Sequence, residues 1–391
     1  MTNFRSFYPV SATTRTSISP SPLLAEPSAA TVGDAQRLFG HGFGEEHASR
    51  FKAHGEYLER FIAFRAIPYP YLCTFSEMIL TWEARLAWTQ AISETCSDPT
   101  LLPHLAQHRF RTVDVRHLIT DASAQVPWAL VSLHSDACLD FTYIPIRDTS
   151  GSGFHRTRSC AREAALFEFI ERQSLTAMWA ARRCLSHTLL TADQLCDPKT
   201  QQLATLLTQK GVLHLYDISF IPCVHTVFIA YKAKCADDYV QFSCGSSAAA
   251  DWQTAVNKAL IETWQTGLLL IQMPIFKEQD YGSDTLKEEF QKANYAGFDL
   301  GIEAIPHEEQ KPSFTDGSLE EALWSLADVS PHLFIYEQPY SFGTDSGVFC
   351  KVLSPDFFIH MNPGAGNNNN NLWLKKIAQG RPLRLESMPF A

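Results

Sequence analysis

The stretch Ala161–Arg172 reads AREAALFEFIER, and its second half has the pattern E-x-x-E-R with apolar or aromatic residues between the two glutamates. The same pattern occurs upstream in GEYLER, at Gly55–Arg60. On a helix, residues three apart lie on the same side, so each segment can present two carboxylates together. A third predicted helix offers Glu262 and Gln265 at the same spacing. The sequence therefore predicts three helices that each present a pair of oxygen-bearing side chains.

The residues around Glu168 are apolar or aromatic, because Phe167 and Phe169 flank it and an Ala-Ala-Leu run precedes them. A carboxylate in such surroundings is costly unless it is paired or bound to a cation. An ion pair with a nearby arginine would explain a single E-x-x-E-R segment, whereas two copies and the Glu/Gln segment favour a shared site. Carboxylates that crowd one cleft are relieved by Mg²⁺, which proteins hold with one or two carboxylates, substrate phosphates and water.

Arginines close to these glutamates suit phosphate binding. Arg60, Arg172 and Arg182 have the planar, forked donor geometry that meets phosphate oxygens. The chain contains neither a G-x-x-x-x-G-K-[ST] loop nor a G-x-G-x-x-G segment after a predicted strand. The residues therefore predict a magnesium–nucleotide site on helices, outside the common phosphate-loop folds.

Helical and strand patterns are mixed along the chain. Apolar residues at three- and four-residue spacing predict helices over Asp34–Phe64, Phe75–Cys96, Ser159–Cys184 and Ala249–Ile271. Short β-type runs predict strands at Phe141–Ile146, Leu213–Phe220, Thr226–Tyr231, Tyr239–Ser243, Leu333–Glu337 and Val348–Leu353. The strands between 213 and 243 follow one another without an intervening helix, which favours antiparallel pairing. We expect one large α+β fold rather than a doubly wound sheet.

The chain is expected to consist of a loosely held N-terminal extension, residues 1–33, and one catalytic domain, residues 34–391. Within that domain, residues 277–318 are rich in Glu, Lys, Gly and Pro and predict an irregular surface excursion. The run GNNNNN at Gly366–Asn371 predicts a mobile loop. We expect residues 380–391 to form a C-terminal tail.

Composition excludes several classes of protein. Of the 391 residues, 45% are hydrophobic and 19% are charged, as in packed globular proteins. The formal charge of -10, from 42 acidic and 32 basic residues, argues against a nucleic-acid partner. No two of the ten cysteines have C-x-x-C spacing, which excludes a zinc ribbon and a thioredoxin-type site. The N-terminal residues lack the apolar segment of a secretory signal and no apolar run is long enough for a membrane span, so we expect a cytoplasmic protein with reduced thiols.

Three segments together resemble the ATP and magnesium signatures of the YcaO proteins. They are GEYLER at Gly55–Arg60, GSG at Gly151–Gly153 followed by AREAALFEFIER, and KALIETWQ at Lys258–Gln265. They occur in the family's order, and the resemblance extends from about Gly40 to the C-terminus. It implies a YcaO-type α+β fold, with antiparallel and mixed sheets and with helices that carry the ATP and magnesium motifs.

Two further segments are similar to the stand-alone YcaO subunits of thiazole/oxazole-modified microcin synthetases, of the microcin B and klebsazolicin type. They are RDT at Arg147–Thr149 and LSPDFFIHMN at Leu353–Asn362. The resemblance implies ATP-dependent cyclodehydration of a ribosomally made precursor peptide. A Cys, Ser or Thr side chain attacks the preceding amide carbonyl, ATP phosphorylates the resulting oxyanion, and phosphate leaves to give an azoline. Charge neutralisation by a metal and by arginine suits such phosphoryl transfer.

The resemblance also implies roles for individual residues. Magnesium or phosphate-shell carboxylates are implied at Glu56, Glu59, Glu168, Glu171 and Glu262. Nucleotide contacts are implied at Ser152, Arg172, Arg182, Lys258 and Gln265.

The chain departs from the family in its first glycine signature and at its end. The signature commonly reads G-K-G but here reads GHG at Gly40–Gly42, and we expect His41 to be a surface residue rather than a phosphate contact. In addition, Lys52 occupies a position where serine is usual. Many azoline-forming members end in a proline-rich tail that inserts near the active site, whereas this tail ends in PFA with one proline. The terminal carboxylate of Ala391 is then a candidate catalytic group that orients the attacking side chain or takes its proton. The alternative is a frayed terminus.

The chain has no visible leader-recognition module, and the resemblance implies a complex. Its other members would be an E1-like subunit that binds the leader of the precursor peptide and an FMN-dependent dehydrogenase that oxidises azolines to azoles. Two alternatives stay open: a YcaO enzyme that activates a backbone amide for thioamidation or amidine formation, and a non-catalytic YcaO-like scaffold. The carboxylates present in all three motifs argue against the scaffold.

Overall fold

A computed structural model describes residues 13–17, 28–33, 38–44, 46–134, 138–276, 294, 300–306, 318–342, 345–364 and 366–388. The chain divides into two compact units. The first unit contains the described parts of residues 1–57 and 182–318, and the second contains those of residues 58–181 and 319–388.

In chain order, the described strands are β1 (Thr13–Ser17), β2 (Ser28–Gly33), β3 (Phe39–Gly44), β4 (Tyr71–Cys73), β5 (Phe110–His117), β6 (Ser123–Pro127), β7 (Ser152–His155), β8 (Arg183–Cys184), β9 (Ser186–Leu189), β10 (Gly211–Asp217), β11 (His225–Ala233), β12 (Phe242–Ala249), β13 (Glu303–Ala304), β14 (Phe334–Phe342) and β15 (Asp345–Leu353). The described α-helices are α1 (Glu46–Phe61), α2 (Trp82–Thr95), α3 (Asp140–Tyr143), α4 (Arg158–Ala181), α5 (Pro198–Lys210), α6 (Trp252–Phe276), α7 (Leu319–Val329) and α8 (Leu372–Ala378).

In the described part of the first unit, an antiparallel sheet has the strand order β12-β11-β10-β9, and α6 packs along β12 and β11. A second antiparallel sheet has the order β1-β2-β3.

Local signals in the sequence mark both ends of α5. The Asp197 side chain accepts a hydrogen bond from the Thr200 N–H at 2.9 Å, Pro198 begins the helix, and Gly211 follows it. The apolar core of this unit includes Leu213, Val227, Ile229, Leu260 and Trp264.

The described strands of the second unit form an antiparallel sheet in the order β4-β5-β14-β15-β7, in which β6 also pairs with β5. Helix α4 packs over β7 and β15. The helix is therefore held against the sheet over a long, buried face. The core of this unit includes Trp88, Phe110, Trp128, Tyr143 and Phe349.

The start of α4 is anchored to the sheet by one carboxylate. Glu337 on β14 accepts hydrogen bonds from Arg158 Nε at 2.9 Å and from Arg162 Nε at 2.6 Å. Burial alone would raise the pKa of Glu337, but these hydrogen bonds outweigh it and lower the pKa to about 2. The two arginines are one turn apart, so a single side chain secures the first two turns of the helix.

The α+β class is confirmed, because the described chain combines long helices with antiparallel sheets and one short parallel pair, β8 with β13. Helices α4 and α6 lie where helices were predicted, whereas α2 begins at Trp82 and fills only the later part of the helix predicted over Phe75–Cys96. The predicted helix over Asp34–Phe64 was wrong in its first part, since β3 precedes α1 and the helix begins at Glu46. The FGHGFG sequence of β3 alternates glycine with larger residues, which suits a strand that lies directly on another backbone.

The strand predicted at Phe141–Ile146 was also wrong, because residues 140–143 form the short helix α3. The buried Asp140 carboxylate lies 2.6 Å from His108 Nε2 and accepts a hydrogen bond from the Arg111 N–H at 3.1 Å. These partners are about thirty residues away in sequence, so the local pattern could not reveal them. A short apolar run does not distinguish helix from strand.

The mobile loop predicted at Gly366–Asn371 was wrong as well. Asn367 and Asn368 are only 4% and 3% exposed, and their side chains are hydrogen-bonded to the main chain. Asparagine side chains carry the same donor and acceptor as a peptide group, so a run of them can order a loop. Its sequence alone had suggested only polarity.

Part of the predicted domain division falls within the described chain. In the predicted extension, residues 13–17 and 28–33 form β1 and β2, which pair with each other and, through β2, with β3. Most of the predicted excursion at 277–318 lies outside the described residues. None of the helices in the described chain combines the length and apolar character needed to cross a membrane.

Candidate functional site

The helix of each glutamate motif is touched directly by a strand that contains glycine. In the first motif, β3 lies against α1, and a Cβ at Gly40 would collide with the Ala53 carbonyl and with the backbone of Tyr57. Only a residue without a Cβ permits this approach. As a result the main-chain N–H of His41 donates a hydrogen bond to the Glu56 carboxylate.

In the second motif, β7 lies against α4. A Cβ at Gly153 would be 2.7 Å from the Ala165 nitrogen and 2.9 Å from the Ala161 carbonyl oxygen. Ser152 is 4% exposed, and its Oγ has no hydrogen-bond partner among the described residues. In the ladder between β7 and β15, Ser152 lies opposite Lys351. A buried hydroxyl of this kind requires an explanation, and a polar ligand at that position would provide one.

In the third motif, β12 lies against α6. A Cβ at Gly245 would collide with the Ala259 carbonyl and the Thr263 nitrogen. The neighbouring Ser246 N–H donates a hydrogen bond to Glu262 Oε2 at 3.3 Å. The three motifs therefore share a local design, in which a glycine brings a strand onto the helix that carries the glutamates. Helical spacing alone did not predict this, although the glycine ahead of each motif was a visible signal.

Two glutamates and one arginine of the second motif are grouped on α4. Arg172 Nε donates a hydrogen bond to Glu168 Oε1 at 2.8 Å and lies 3.9 Å from Glu171 Oε1. The side chain of Glu168 is 25% exposed, whereas that of Glu171 is 8% exposed. The group presents carboxylate oxygens next to a guanidinium, which are the side chains that a magnesium–phosphate ligand requires.

A buried lysine that the sequence analysis missed lies close to these carboxylates. Lys351 on β15 is 6% exposed, and its Nζ donates a hydrogen bond to the Asp148 carbonyl at 2.6 Å. Burial lowers the pKa of Lys351, whereas the charges of Asp148, Glu59 and Glu168 raise it. Glu59 of the first motif and Glu168 of the second are thus both close enough to act on one lysine. In the sequence, Lys351 was marked only as a charged residue inside an apolar predicted strand.

The first unit contains a second group of charged residues. The pKa of Lys52 is lowered first by partial burial and then by the charge of Lys258, whereas Glu262 raises it. Lys258 and Glu262 lie one turn apart on α6, and both are exposed. Lys52, which replaces the family's usual serine, therefore adds a second cation next to the carboxylate of the third motif.

Two more predicted nucleotide contacts, Arg182 and Gln265, lie outside the group on α4. Arg182 follows the end of α4, is exposed, and has a φ of 54°. Its carbonyl accepts a hydrogen bond from the Glu303 N–H at 3.0 Å. Gln265 is half-buried on α6. Both residues belong to the first unit, whereas Glu168, Glu171 and Arg172 belong to the second.

The tail of the chain runs along the last turns of α4. The Arg384 N–H donates a hydrogen bond to the Ala180 carbonyl at 2.8 Å, and Trp179 Nε1 donates one to the Glu386 carbonyl at 2.8 Å. Residues 384–386 are therefore fixed to the helix that carries Glu168 and Glu171. Ala391 lies outside the described residues, so its role stays a prediction.

The residues of the second unit fit magnesium bound together with a phosphate. Across the described chain, no three His, Cys, Asp or Glu side chains are grouped closely enough to hold a metal ion by themselves. Mg²⁺ does not need such a cage, since it is typically held by one or two carboxylates, phosphate oxygens and water. Glu168 and Glu171 supply hard oxygen ligands, Arg172 supplies a phosphate donor, and Ser152 supplies a buried hydroxyl that no described residue engages.

Comparisons with known proteins agree with this geometry. A family model described as YcaO cyclodehydratase, ATP- and Mg²⁺-binding, matches residues 39–332. The microcin B17-processing protein McbD of Escherichia coli is 28% identical over 364 residues, which cover 89% of each chain.

Solved structures are similar over almost the whole chain. A chain of the E. coli microcin synthetase McbBCD complex with pro-MccB17 bound has a TM-score of 0.82 and 26% identity, with 96% of both chains covered. A second structure of the McbBCD complex gives a TM-score of 0.83 at 25% identity, with the same coverage. YcaO from Methanopyrus kandleri, bound with AMPPCP and Mg²⁺, has a TM-score of 0.54 at 17% identity, with 93% of this chain and 88% of that chain covered. This last likeness concerns the fold alone.

Proposed function

The chain belongs to the YcaO cyclodehydratase family, and from this premise we propose that it is the ATP-dependent cyclodehydratase subunit of an azole-forming peptide synthetase. Its substrate is a ribosomally made precursor peptide, in which Cys, Ser or Thr side chains close onto the preceding amide to form thiazoline or oxazoline rings. The observation that carries the proposal is the grouping of Glu168, Glu171 and Arg172 on α4, inside the segment that matches the family.

The residues of the second unit have distinct tasks in this proposal. When bound, MgATP supplies the phosphoryl group with which the amide oxygen leaves as phosphate. Glu168 and Glu171 hold Mg²⁺ through their carboxylate oxygens, and Glu59 is assigned to the shell of carboxylates around the magnesium or phosphate. Arg172 binds phosphate oxygens in its forked geometry, and the Ser152 hydroxyl donates a hydrogen bond to the nucleotide.

Residues of the first unit carry the remaining proposed contacts. Glu56 and Glu262 are magnesium or phosphate-shell carboxylates, and each already accepts a main-chain N–H. Lys258 is a nucleotide contact, as are Arg182 and Gln265. These main-chain donors fix the orientation of both carboxylates before a cation arrives.

Ring closure also requires removal of a proton from the attacking Cys, Ser or Thr. We assign this task to the terminal carboxylate of Ala391. The course of residues 384–386 supports the assignment, because these residues of the tail are hydrogen-bonded to the end of α4, the helix that carries Glu168 and Glu171. A carboxylate acts as a base only within hydrogen-bond reach of the proton it takes.

The proposed enzyme works with partner subunits, as its similarity to a chain of the McbBCD complex suggests. One partner is an E1-like subunit that binds the leader of the precursor peptide. Another is an FMN-dependent dehydrogenase that oxidises azolines to azoles. Alone, the subunit is expected to bind ATP weakly and to turn over slowly.

The test is reconstitution of the chain with its partner subunits and a candidate precursor peptide, followed by mass spectrometry. The expected result is the loss of one water per ring, dependent on ATP and Mg²⁺. Glu171→Gln should abolish this loss, whereas Glu163→Gln, at an exposed position on the same helix, should leave it unchanged. Exchange of oxygen for sulfur, which raises the mass, would contradict ring formation, and an active Glu171→Gln enzyme would contradict the site.

A further inference from the structure

The asparagine run at residues 367–371 orders a stretch of chain that lies outside the described strands. Asn368 Nδ2 donates hydrogen bonds to the carbonyls of Pro355, at 3.0 Å, and Phe357. Asn368 Oδ1 accepts one from the Ile359 N–H at 3.1 Å. One amide thus replaces three main-chain partners that a neighbouring strand would otherwise supply.

Asn367 continues this pattern. Its Oδ1 accepts hydrogen bonds from the Ile359 N–H at 3.1 Å and from the Asn368 N–H at 3.0 Å. Its Nδ2 donates to the His360 carbonyl. Both asparagines are almost completely buried, so these bonds are shielded from water and costly to lose. We call Asn367 and Asn368 the asparagine clamp.

The held segment, residues 355–361, is attached in turn to the catalytic helix. Gln173 Nε2 donates to the Phe358 carbonyl at 3.0 Å, and the Phe358 N–H donates back to Gln173 Oε1 at 2.8 Å. The neighbouring Arg172 Nη1 donates to Met361 Sδ at 3.5 Å. The Met361 N–H donates to Asp148 Oδ2 at 2.8 Å, and the Asp148 carbonyl accepts from Lys351.

These contacts form a continuous path from the clamp to the proposed site. Arg172 has two kinds of neighbour: the carboxylates on its own helix and the segment that the clamp holds. The segment limits where the guanidinium can lie, because Met361 Sδ accepts a hydrogen bond from Arg172 and the next residue of α4, Gln173, is bonded to Phe358. Without the clamp, the main-chain groups of residues 355–361 would need water and the segment would move.

We propose that Asn367 and Asn368 are positioning residues, which hold residues 355–361 in place and thereby hold Arg172 in its phosphate-binding orientation. The inference deepens the proposed function and rests on it, since it takes Arg172 to be the phosphate ligand. The two asparagines touch neither nucleotide nor peptide in the proposed site. Their effect passes through the segment.

The test compares Asn368→Asp with Asn370→Asp in the full chain, reconstituted with its partner subunits. The carboxylate introduced by Asn368→Asp cannot donate to the carbonyls of Pro355 and Phe357. Asn370 is exposed in the same run, and its main-chain N–H, rather than its side chain, donates to Glu94 Oε2 at 3.2 Å. Both substitutions add the same charge. Gln173→Ala is a second variant, which cuts the attachment to α4 while the clamp stays intact.

Two readouts are measured for each variant: hydrogen exchange at the amides of Phe358, Ile359 and Met361, and the kinetic constants for ATP. Asn368→Asp should lose protection at these amides, and both it and Gln173→Ala should raise the KM for ATP roughly 10- to 100-fold, as a misplaced binding group does. Asn370→Asp should match the wild type in both. A role limited to overall stability would lower kcat with the folded fraction and leave KM unchanged.

The inference is overturned if Asn368→Asp loses protection while its KM for ATP stays at the wild-type value, or if protection is unchanged. If Asn368→Asp does not fold, an unchanged KM in Gln173→Ala overturns it equally. Failure of the proposed function gives a different result, because the reconstituted wild-type complex would then form no rings by mass spectrometry, whatever the exchange at the three amides. In that case exchange at the three amides alone decides whether the clamp holds the segment.

Discussion

Removal of the carboxylate that anchors α4 should destabilise the protein in a pH-dependent way. The substitution is Glu337→Gln, which keeps the shape of the side chain but removes its charge. In the folded protein, hydrogen bonds from Arg158 and Arg162 overcome the effect of burial and lower the pKa of Glu337 from 4.5 to about 2. Such a difference corresponds to about 3 kcal/mol of unfolding free energy at neutral pH.

The exposure of the two arginines reduces this value. The Arg158 side chain is 57% exposed and that of Arg162 is 33% exposed, so water screens part of the attraction. We therefore expect Glu337→Gln to lower the unfolding free energy by about 2 kcal/mol at pH 7. The pKa of the folded state is below that of the unfolded state, so the stabilisation is complete above about pH 5 and is lost as the pH falls from 4.5 towards 2.

The assay is urea denaturation of the wild type and of Glu337→Gln, followed by tryptophan fluorescence between pH 3 and pH 8. Glu163→Gln is the control, since it removes one negative charge at an exposed position on the same helix. That control should cost at most about 0.5 kcal/mol. A Glu337→Gln protein as stable as the wild type at pH 7, or a deficit that persists unchanged at pH 3, would refute the reasoning.

Three further predictions concern the motifs and the buried lysine. Glu168→Gln and Glu171→Gln should each leave a folded protein by circular dichroism and reduce azoline formation at least about 100-fold by mass spectrometry; wild-type rates would refute the magnesium assignment. Gly40→Ala should lower the stability of the protein in thermal unfolding, because the added Cβ would collide with the backbone of α1. Gly55→Ala, which has open space around it, should instead stabilise the helix by about 0.5–1 kcal/mol. The reverse order of stability would contradict the close approach of β3 to α1. Lys351→Met should lower the unfolding free energy by about 2 kcal/mol or more, because the Asp148 carbonyl loses its donor and the nearby carboxylates lose their cation. An unchanged midpoint in denaturant unfolding would show that Lys351 does not stabilise these groups.

Much of the architecture could be read from local patterns. The spacing of apolar residues located α2, α4 and α6, since a helix repeats every 3.6 residues and each of these segments contains the repeat within itself. The same spacing placed Glu168 and Glu171 one turn apart, with Arg172 beside them. The succession of predicted strands without helices in residues 213–243 was enough to predict antiparallel pairing, which β10, β11 and β12 show. The third strand was misplaced, since β12 is Phe242–Ala249 rather than Tyr239–Ser243. In each of these cases the interacting residues are neighbours in the chain.

The remaining features depend on residues that are far apart in sequence. Lys351 and Asp148 are joined across 203 residues, Glu337 and Arg158 across 179, and Gln173 and Phe358 across 185. No periodicity records such partners, so the sequence marked Lys351 only as a charge in an apolar strand. The asparagine clamp also could not be predicted, because a run of polar residues indicates a mobile loop unless its main-chain hydrogen-bond partners are known. A buried polar group must find a hydrogen-bond partner, and only the tertiary fold decides which distant group that partner is.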